Sequence, residues 1–288
     1  MKHLFTILAL TLFAGINSFA QDQITTEESL KYTASNKGKF FVSWGGNRES
    51  FSKSDIRFKG KGYDFTIHDA SAKDKPKGWH VDYINPARMT IPQTNLRIGY
   101  FISDKYNVVF GIDHMKYVMN RDRYKKVTGY IDLPDSELGS VFNEDFTGED
   151  YFVSEDMLMF EHTNGLNYVF AAINRFDDIS SLLNITNTDK FQINLTEGFG
   201  AGVLYPKTNT TLLLKERYDE FHVAGYGLSV TAGLNFTFFK YFFVEGSLKG
   251  GYINMPDIRT TSDTSESAEQ DFFFFQRIIS FGGRFRLF

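Results

Sequence analysis

From His222 to Phe238 the chain alternates without a break. Ala224, Tyr226, Leu228, Val230, Ala232, Leu234, Phe236 and Phe238 fall on one phase, and Gly225, Gly227, Ser229, Thr231, Gly233, Asn235 and Thr237 on the other. A β-strand turns successive side chains to opposite faces, so this segment separates an oily environment from a wet or tightly packed one. After a short turn at Phe239-Lys240, the next run puts Phe242, Val244, Leu248 and Tyr252 on one side and Glu245, Ser247 and Lys249 on the other. A soluble barrel keeps its apolar side inside. Here the charged set is assigned to the interior and the oily set to the exterior, the inversion that lipid imposes.

Similar runs recur. Phe40, Val42 and Trp44 alternate with Ser43, Gly45 and Asn47, and Leu96, Ile98, Tyr100 and Ile102 with Asn95, Arg97 and Gly99. Val108, Phe110 and Ile112 oppose Gly111 and Asp113, whereas 167–175 can be read in either phase. From Phe191 to Val203 the oily phase holds Phe191, Ile193, Leu195, Phe199, Ala201 and Val203. Glu197 also falls on it, which calls for a bulge there. The last run turns Ile279, Phe281, Phe285 and Leu287 outward and Ser280, Arg284 and Arg286 inward.

These runs make an all-β, antiparallel transmembrane β-barrel of about eight strands, or ten if the first long connection supplies two more. Ser103-Asp104-Lys105 and Phe239-Lys240 are tight turns, and Asp177 to Asp189 is moderate. The connections around 49–93, 120–164, 204–221 and 256–270 are long. Short periplasmic turns and long extracellular loops are the outer-membrane plan. Eight strands leave an interior that side chains can fill. Arg97, Asp113, Glu245, Lys249, Arg284 and Arg286, all on the inward phase, are therefore expected to pair into a lumen plug.

The N-terminus fits export. Lys2 and His3 precede an apolar run from Leu4 to Ile16, then Ser18-Phe19-Ala20. This reads as a signal peptide over 1–20, followed by a periplasmic segment over 21–37 and the barrel over 38–288. The chain has no cysteine, so disulfides and thiolate metal or redox sites are excluded. Its net charge of −4 argues against nucleic acid, and no later run of eighteen apolar residues offers a membrane helix. Aromatics make up 17% of a chain whose mean hydropathy is negative, a combination that fits a soluble sandwich and equally an alternating wall with aromatic rims.

Taken together, these features resemble the small outer-membrane β-barrel proteins of Gram-negative bacteria, OmpA- and OmpW-like in the broad sense. The stretches SKSDIRFKGKGYDFTIHDA, MTIPQTNLRIGYFISDKYNVVFGIDHMKYVM and FEHTNGLNYV look like a barrel family common in Bacteroidetes-type bacteria. The resemblance implies the fold and an outer-membrane location, with insertion by the barrel-assembly machinery, and brings no activity with it. One departure concerns Phe288: residues alternating back from the terminal aromatic are usually apolar, but here they are Arg286 and Arg284.

Three sites present themselves. Lys53, Arg57, Lys59, Lys61, Lys73, Lys75 and Lys77 make the first long connection basic, suited to lipopolysaccharide phosphates at the outer leaflet or to plain solvation. Between them Tyr63, Phe65 and Ile67 alternate with Asp64, Thr66 and His68, which reads as a hairpin, or as two wall strands if Trp79 to Ile84 pairs with it. The second connection has no Lys or Arg from Val127 to Asn174 and accumulates Asp132, Asp135, Glu137, Glu144, Asp145, Glu149, Asp150, Glu155, Asp156 and Glu161. Without EF-hand spacing it reads as a solubilising acidic loop and not a calcium site. Opposite charge predicts that the two connections attract.

His162-Thr163-Asn164 is the enzymatic candidate. Outer-membrane lipid A deacylases, also small barrels, use a His and a Ser with a neighbouring Asn at the corresponding depth. In this chain Thr replaces Ser and no spacer separates it from the His, so His162 and Thr163 belong to opposite faces of a strand. His114 and His222 read as rim residues, since neither has a close second His. No cofactor or metal site is assigned. The leading functional reading is a structural or interaction barrel acting through its extracellular loops, with its lumen plugged and its partner unnamed by the sequence. A narrow-pore or small-hydrophobic-molecule channel comes next, then a lipid A-modifying hydrolase.

Overall fold

The computed structural model describes residues 35–78, 80 and 92–287. The signal peptide, most of the segment to residue 37, the Trp79 to Ile84 stretch apart from His80, and Phe288 lie outside the described residues. Eight strands close a ring: β1 (Phe40–Phe51), β5 (Thr94–Phe101), β6 (Tyr106–Met119), β9 (Leu158–Asp178), β10 (Phe191–Leu204), β13 (Gly225–Phe238), β14 (Phe242–Arg259) and β15 (Ser267–Phe285). Every neighbouring pair is antiparallel, and β1 pairs with both β5 and β15, so the wall has no open edge.

The phase of each strand follows from what surrounds it. Phe110, Val230, Leu248, Ile279 and Phe199 stand out from the wall, each more than half exposed, while Asn95, Asp113, Asn194, Asn235 and Lys249 point inside and are buried. In β9 the ambiguous stretch resolves with Tyr168, Phe170 and Phe176 inward and Val169 and Ile173 outward. No bulge interrupts β10 against β13 or β9. Glu197 keeps the outward phase and faces Arg175 across the β9–β10 pair.

The first long connection holds the hairpin β2 (Ser54–Gly60) and β3 (Tyr63–Ala70), then the short β4 (Ala72–Lys73). These strands do not enter the ring, so the wall is eight-stranded and not ten-stranded. β2 instead pairs with Ser267–Gln270 at the end of β15, where β15 has run past its wall partner β1. β3 pairs with β7 (Arg123–Ile131), and β7 with β8 (Glu144–Val153), so the basic and acidic connections are hydrogen-bonded into one sheet. β11 (Lys207–Leu212) and β12 (Tyr218–Phe221) form a further hairpin, with β11 on the outer end of β9. All these additions sit at the end with long connections.

They also carry a core. Ile56, Phe58, Phe65 and Ile67 alternate with charged or polar neighbours along β2 and β3, and bury their side chains against inward residues of the wall such as Tyr117, Phe160, Met255 and Phe272. Each of these eight side chains is at most 1% exposed, so an apolar core fills the barrel mouth. At roughly 2 kcal/mol per fully buried large apolar side chain, closing the mouth is strongly favourable. The long connections are therefore a folded head and not loose loops.

Candidate functional site

Below the apolar mouth the lumen is polar. Asp113 of β6, fully buried, accepts from the Arg97 guanidinium of β5 at 2.6 Å and from the Lys249 ammonium of β14 at 2.6 Å. Asn95 Nδ2 donates to the same carboxylate at 2.6 Å. Lys249 Nζ lies 3.5 Å from the Phe170 ring centre, and the Arg97 guanidinium 4.9 Å from it. A charge taken out of water needs partners for its remaining protons and lone pairs, and this cluster supplies them from three strands and an aromatic face.

Nearer the short-turn end, Arg284 lies among Phe101, Phe176 and Phe243 and donates to Asn36 Oδ1 at 3.0 Å. Glu245 accepts from Asn235 Nδ2 at 2.9 Å. Arg97, Glu245, Lys249 and Arg284 line a cavity of about 70 Å³, room for a few water molecules. Arg286 is not part of this cluster. β15 ends at Phe285, and Arg286 is exposed beyond it, donating to Lys37 O at 3.2 Å. Alternation assigned it inward, but alternation stops where the strand does.

Under the mouth, the Gln93 amide bridges the carboxylates of Glu49 and Asp74, and Gln276 Nε2 donates to Glu49 at 3.1 Å. Within the apolar core, Gln270 donates to Tyr117 Oη at 2.7 Å and to Ser54 Oγ at 2.8 Å. Charge cluster, carboxylate bridge and apolar core are stacked along one axis, each formed from several strands.

The outer surface of the ring is the complement of this interior. The outward residues of β5, β6, β13, β14 and β15 form an apolar belt with Tyr100, Tyr106, Tyr226, Phe242, Phe273 and Phe285 among its exposed rings. Water does not favour an inside-out pattern of oily exterior and ionised interior, whereas hydrocarbon requires it. The ring is a transmembrane barrel. No helix among the described residues is long and apolar enough to cross a membrane, so the crossing is made by strands.

No protein-family model matches the chain, and no curated protein matches it. Solved structures similar to this transmembrane barrel include Ail, the attachment invasion locus protein of Yersinia pestis, at 12% identity and TM-score 0.33, covering 86% of this chain and 99% of that one. The outer membrane protein OprG from Pseudomonas aeruginosa is 11% identical with TM-score 0.34, covering 87% of this chain and 97% of its own. The outer membrane protease OmpT from Escherichia coli is 9% identical with TM-score 0.34, covering 89% of this chain and 100% of its own. The fold rests on the strand register above and not on these likenesses.

The structure does not bring the enzymatic candidates together. His162 is fully buried inside, its Nδ1 2.9 Å from Thr208 Oγ1, while Thr163 faces the other way and donates to Glu161 Oε1 at 2.7 Å. Neither His114 nor His222 stands alone at a rim. His114 is buried with Nδ1 2.8 Å from Asn167 Oδ1, and His222 meets Asp257 Oδ2 at 2.8 Å. Their partners are distant in sequence, so spacing gave no sign of either contact.

In the head, Arg57 pairs with Asp64 at 2.6 Å, Lys59 with Glu269, and Lys75 approaches Glu161 at 3.5 Å. Lys53, Lys61 and Lys73 are exposed, and Lys77 is half-buried. The acidic residues spread along β8 and its flanks. Among the described residues no three acidic or histidine side chains converge as metal ligands would. Sequence reasoning missed the Glu49–Gln93–Asp74 bridge entirely. Its one signal was a carboxylate on the inward phase of β1, two residues beyond Asn47.

Proposed function

We propose that this chain is an integral outer-membrane barrel with a stoppered lumen, and that its role is structural or interactive, carried by the folded head on the outside of the cell. The observation behind this reading is the stack inside the ring. An apolar core in the mouth lies over the Asp113–Arg97–Lys249 cluster, and the two together oppose the passage of solutes. What the chain offers to its surroundings is the head: the β2–β3–β7–β8 sheet, with Tyr124, Tyr130, Leu138, Val141 and Phe152 exposed on it or its connections. Binding surfaces concentrate on such connections when a rigid scaffold positions them. Lipid and lipopolysaccharide are its partners along the wall, with the exposed lysines of the first connection turned toward phosphates, and the barrel-assembly machinery is its partner during insertion.

The absence of cysteine makes the orientation directly testable. Ser136→Cys, in the exposed β7–β8 connection, is expected to react with a membrane-impermeant maleimide on intact cells. Ser181→Cys, at the short-turn end between β9 and β10, is expected to react only after the cells are permeabilised. The opposite pattern, or labelling of neither site in membranes, contradicts the reading.

A further inference from the structure

Under the mouth, two carboxylates share one place. Glu49 of β1 is buried, and its carboxylate stands within hydrogen-bonding reach of that of Asp74, the residue after β4. The Glu49 N–H donates to Asp74 Oδ2 at 3.0 Å, so the wall backbone holds the two acids together. Among the described residues no lysine, arginine or histidine forms an ion pair with either acid, and Lys116 of β6 acts on Asp74 only through its longer-range field. Two like charges in contact away from water cannot both persist unless a positive charge joins them.

The groups that touch the pair are amides. Gln93 Nε2 donates to Glu49 Oε2 and, at 2.5 Å, to Asp74 Oδ1. Gln276, set opposite Glu49 by the β1–β15 register, donates from Nε2 to Glu49 Oε1 at 3.1 Å. Both glutamines are fully buried, and the Oε1 of each has no hydrogen-bond partner. The Oδ1 of Asn47, one inward step along β1, lacks one as well. Buried carbonyl oxygens without a donor are costly, and these gather around the same two acids. A carboxamide has a donor end and an acceptor end, so turning Gln93 over sets its Oε1 between the two carboxylates. Only a cation makes that arrangement favourable. Asp74 is partly exposed between the exposed Lys73 and Lys75, so the place is reachable from the outer solution.

We infer that Glu49, Asp74, Gln93 and Gln276 bind a calcium ion. Calcium takes about six to eight oxygens from carboxylates and amide carbonyls in a flexible geometry, whereas magnesium demands a strict octahedron and keeps its waters. Two carboxylates balance its charge, each can bind through both oxygens, and the two amide oxygens complete the set. Only two of the four ligands are acids, which is why no trio of acids or histidines marks the place. A calcium ion held there ties Asp74 and Gln93 of the first connection to the wall strands β1 and β15, and stabilises the folded chain by mass action.

The full-length protein in detergent is stripped with EDTA, and binding of radioactive calcium is measured by equilibrium dialysis. Three proteins are compared: the wild type, Glu49→Gln, and Asp145→Asn/Asp150→Asn, which removes two exposed acids of the head. The wild type is expected to take up about one calcium ion per chain saturably, with magnesium competing about tenfold more weakly or worse. Glu49→Gln, which keeps the side chain's shape and removes its charge, is expected to lose that ion, and the head variant to keep it. Heat-shifted gel mobility verifies that all three are folded, and calcium is expected to raise the conversion temperature of the wild type but not of Glu49→Gln. Folded wild type without saturable calcium binding overturns the site in favour of a proton shared by the two carboxylates. Binding that survives in Glu49→Gln, or that vanishes in the head variant, overturns its location. Magnesium bound as tightly as calcium overturns calcium as the occupant.

Discussion

Asp113 holds two cations at once, and the consequences of removing it differ from those of removing a surface acid. Asp113→Asn leaves the Arg97 and Lys249 charges buried without their shared counter-charge, a defect worth about 3–5 kcal/mol. The folded, fast-migrating band of Asp113→Asn is therefore expected to convert to the unfolded form at a clearly lower temperature than wild type, whereas Asp135→Asn, exposed in the head, is expected to convert with wild type. Outside the wall, acids respond to pH. The Arg57 hydrogen bond, with its charge, holds Asp64 below the 3.8 of an ordinary aspartate, and the Lys37 N–H, the Ser35 hydroxyl and the Asn36 N–H do the same for Asp104. A carboxyl lowered on folding adds stability that is complete above its unfolded value and is lost as pH falls through the lowered folded value. Carboxyl NMR of the detergent-solubilised protein should show Asp64 titrating below 3.8 and returning toward that value in Arg57→Gln. A midpoint unmoved by that substitution contradicts the assigned cause.

At the scale of strands, the wall was legible because each strand must show one face to hydrocarbon, and period-two alternation records that demand locally. The head was less legible, because its order comes from partners remote in sequence. β2 finds β15, and Ser54 meets Gln270 across a separation of 216 residues. β7 and β8 also break their own alternation, with positive φ at Gly129 and Gly148 and a register shift between Lys126 and Thr128, so the second connection read as an acidic loop. Phase assigned Arg97, Asp113, Glu245, Lys249 and Arg284 to the interior. It could not assign their contacts, and it erred on Arg286 by running past the end of β15. Gly129 shows how tightly the two connections are joined: its φ is +105°, and a Cβ there would lie 2.1 Å from Asp64 O. Gly129→Val adds a backbone strain of about 1–2 kcal/mol to that clash, and should part β3 from β7. Limited proteolysis is expected to cut the variant between β7 and β8 while leaving the wall intact. Resistance equal to wild type contradicts a head held together by this pairing.

For the molecule as a whole, the proposed stopper has two layers, a charge cluster and an apolar core. Planar-bilayer recordings of the wild type are expected to show no resolvable conductance steps. Asp113→Asn is expected to remain silent too, because the mouth core still covers the lumen; steady single-channel steps from the wild type contradict the stopper. Beneath these expectations lies the closed eight-stranded wall in an outer membrane, with its charges inside and its aromatics in lipid. Gel mobility of purified outer-membrane fractions, unheated against boiled, tests it most directly. The account predicts a compact band in the unheated sample that shifts on boiling to the position of the unfolded chain. A chain that runs identically in both samples, or that stays in solution without detergent, contradicts it.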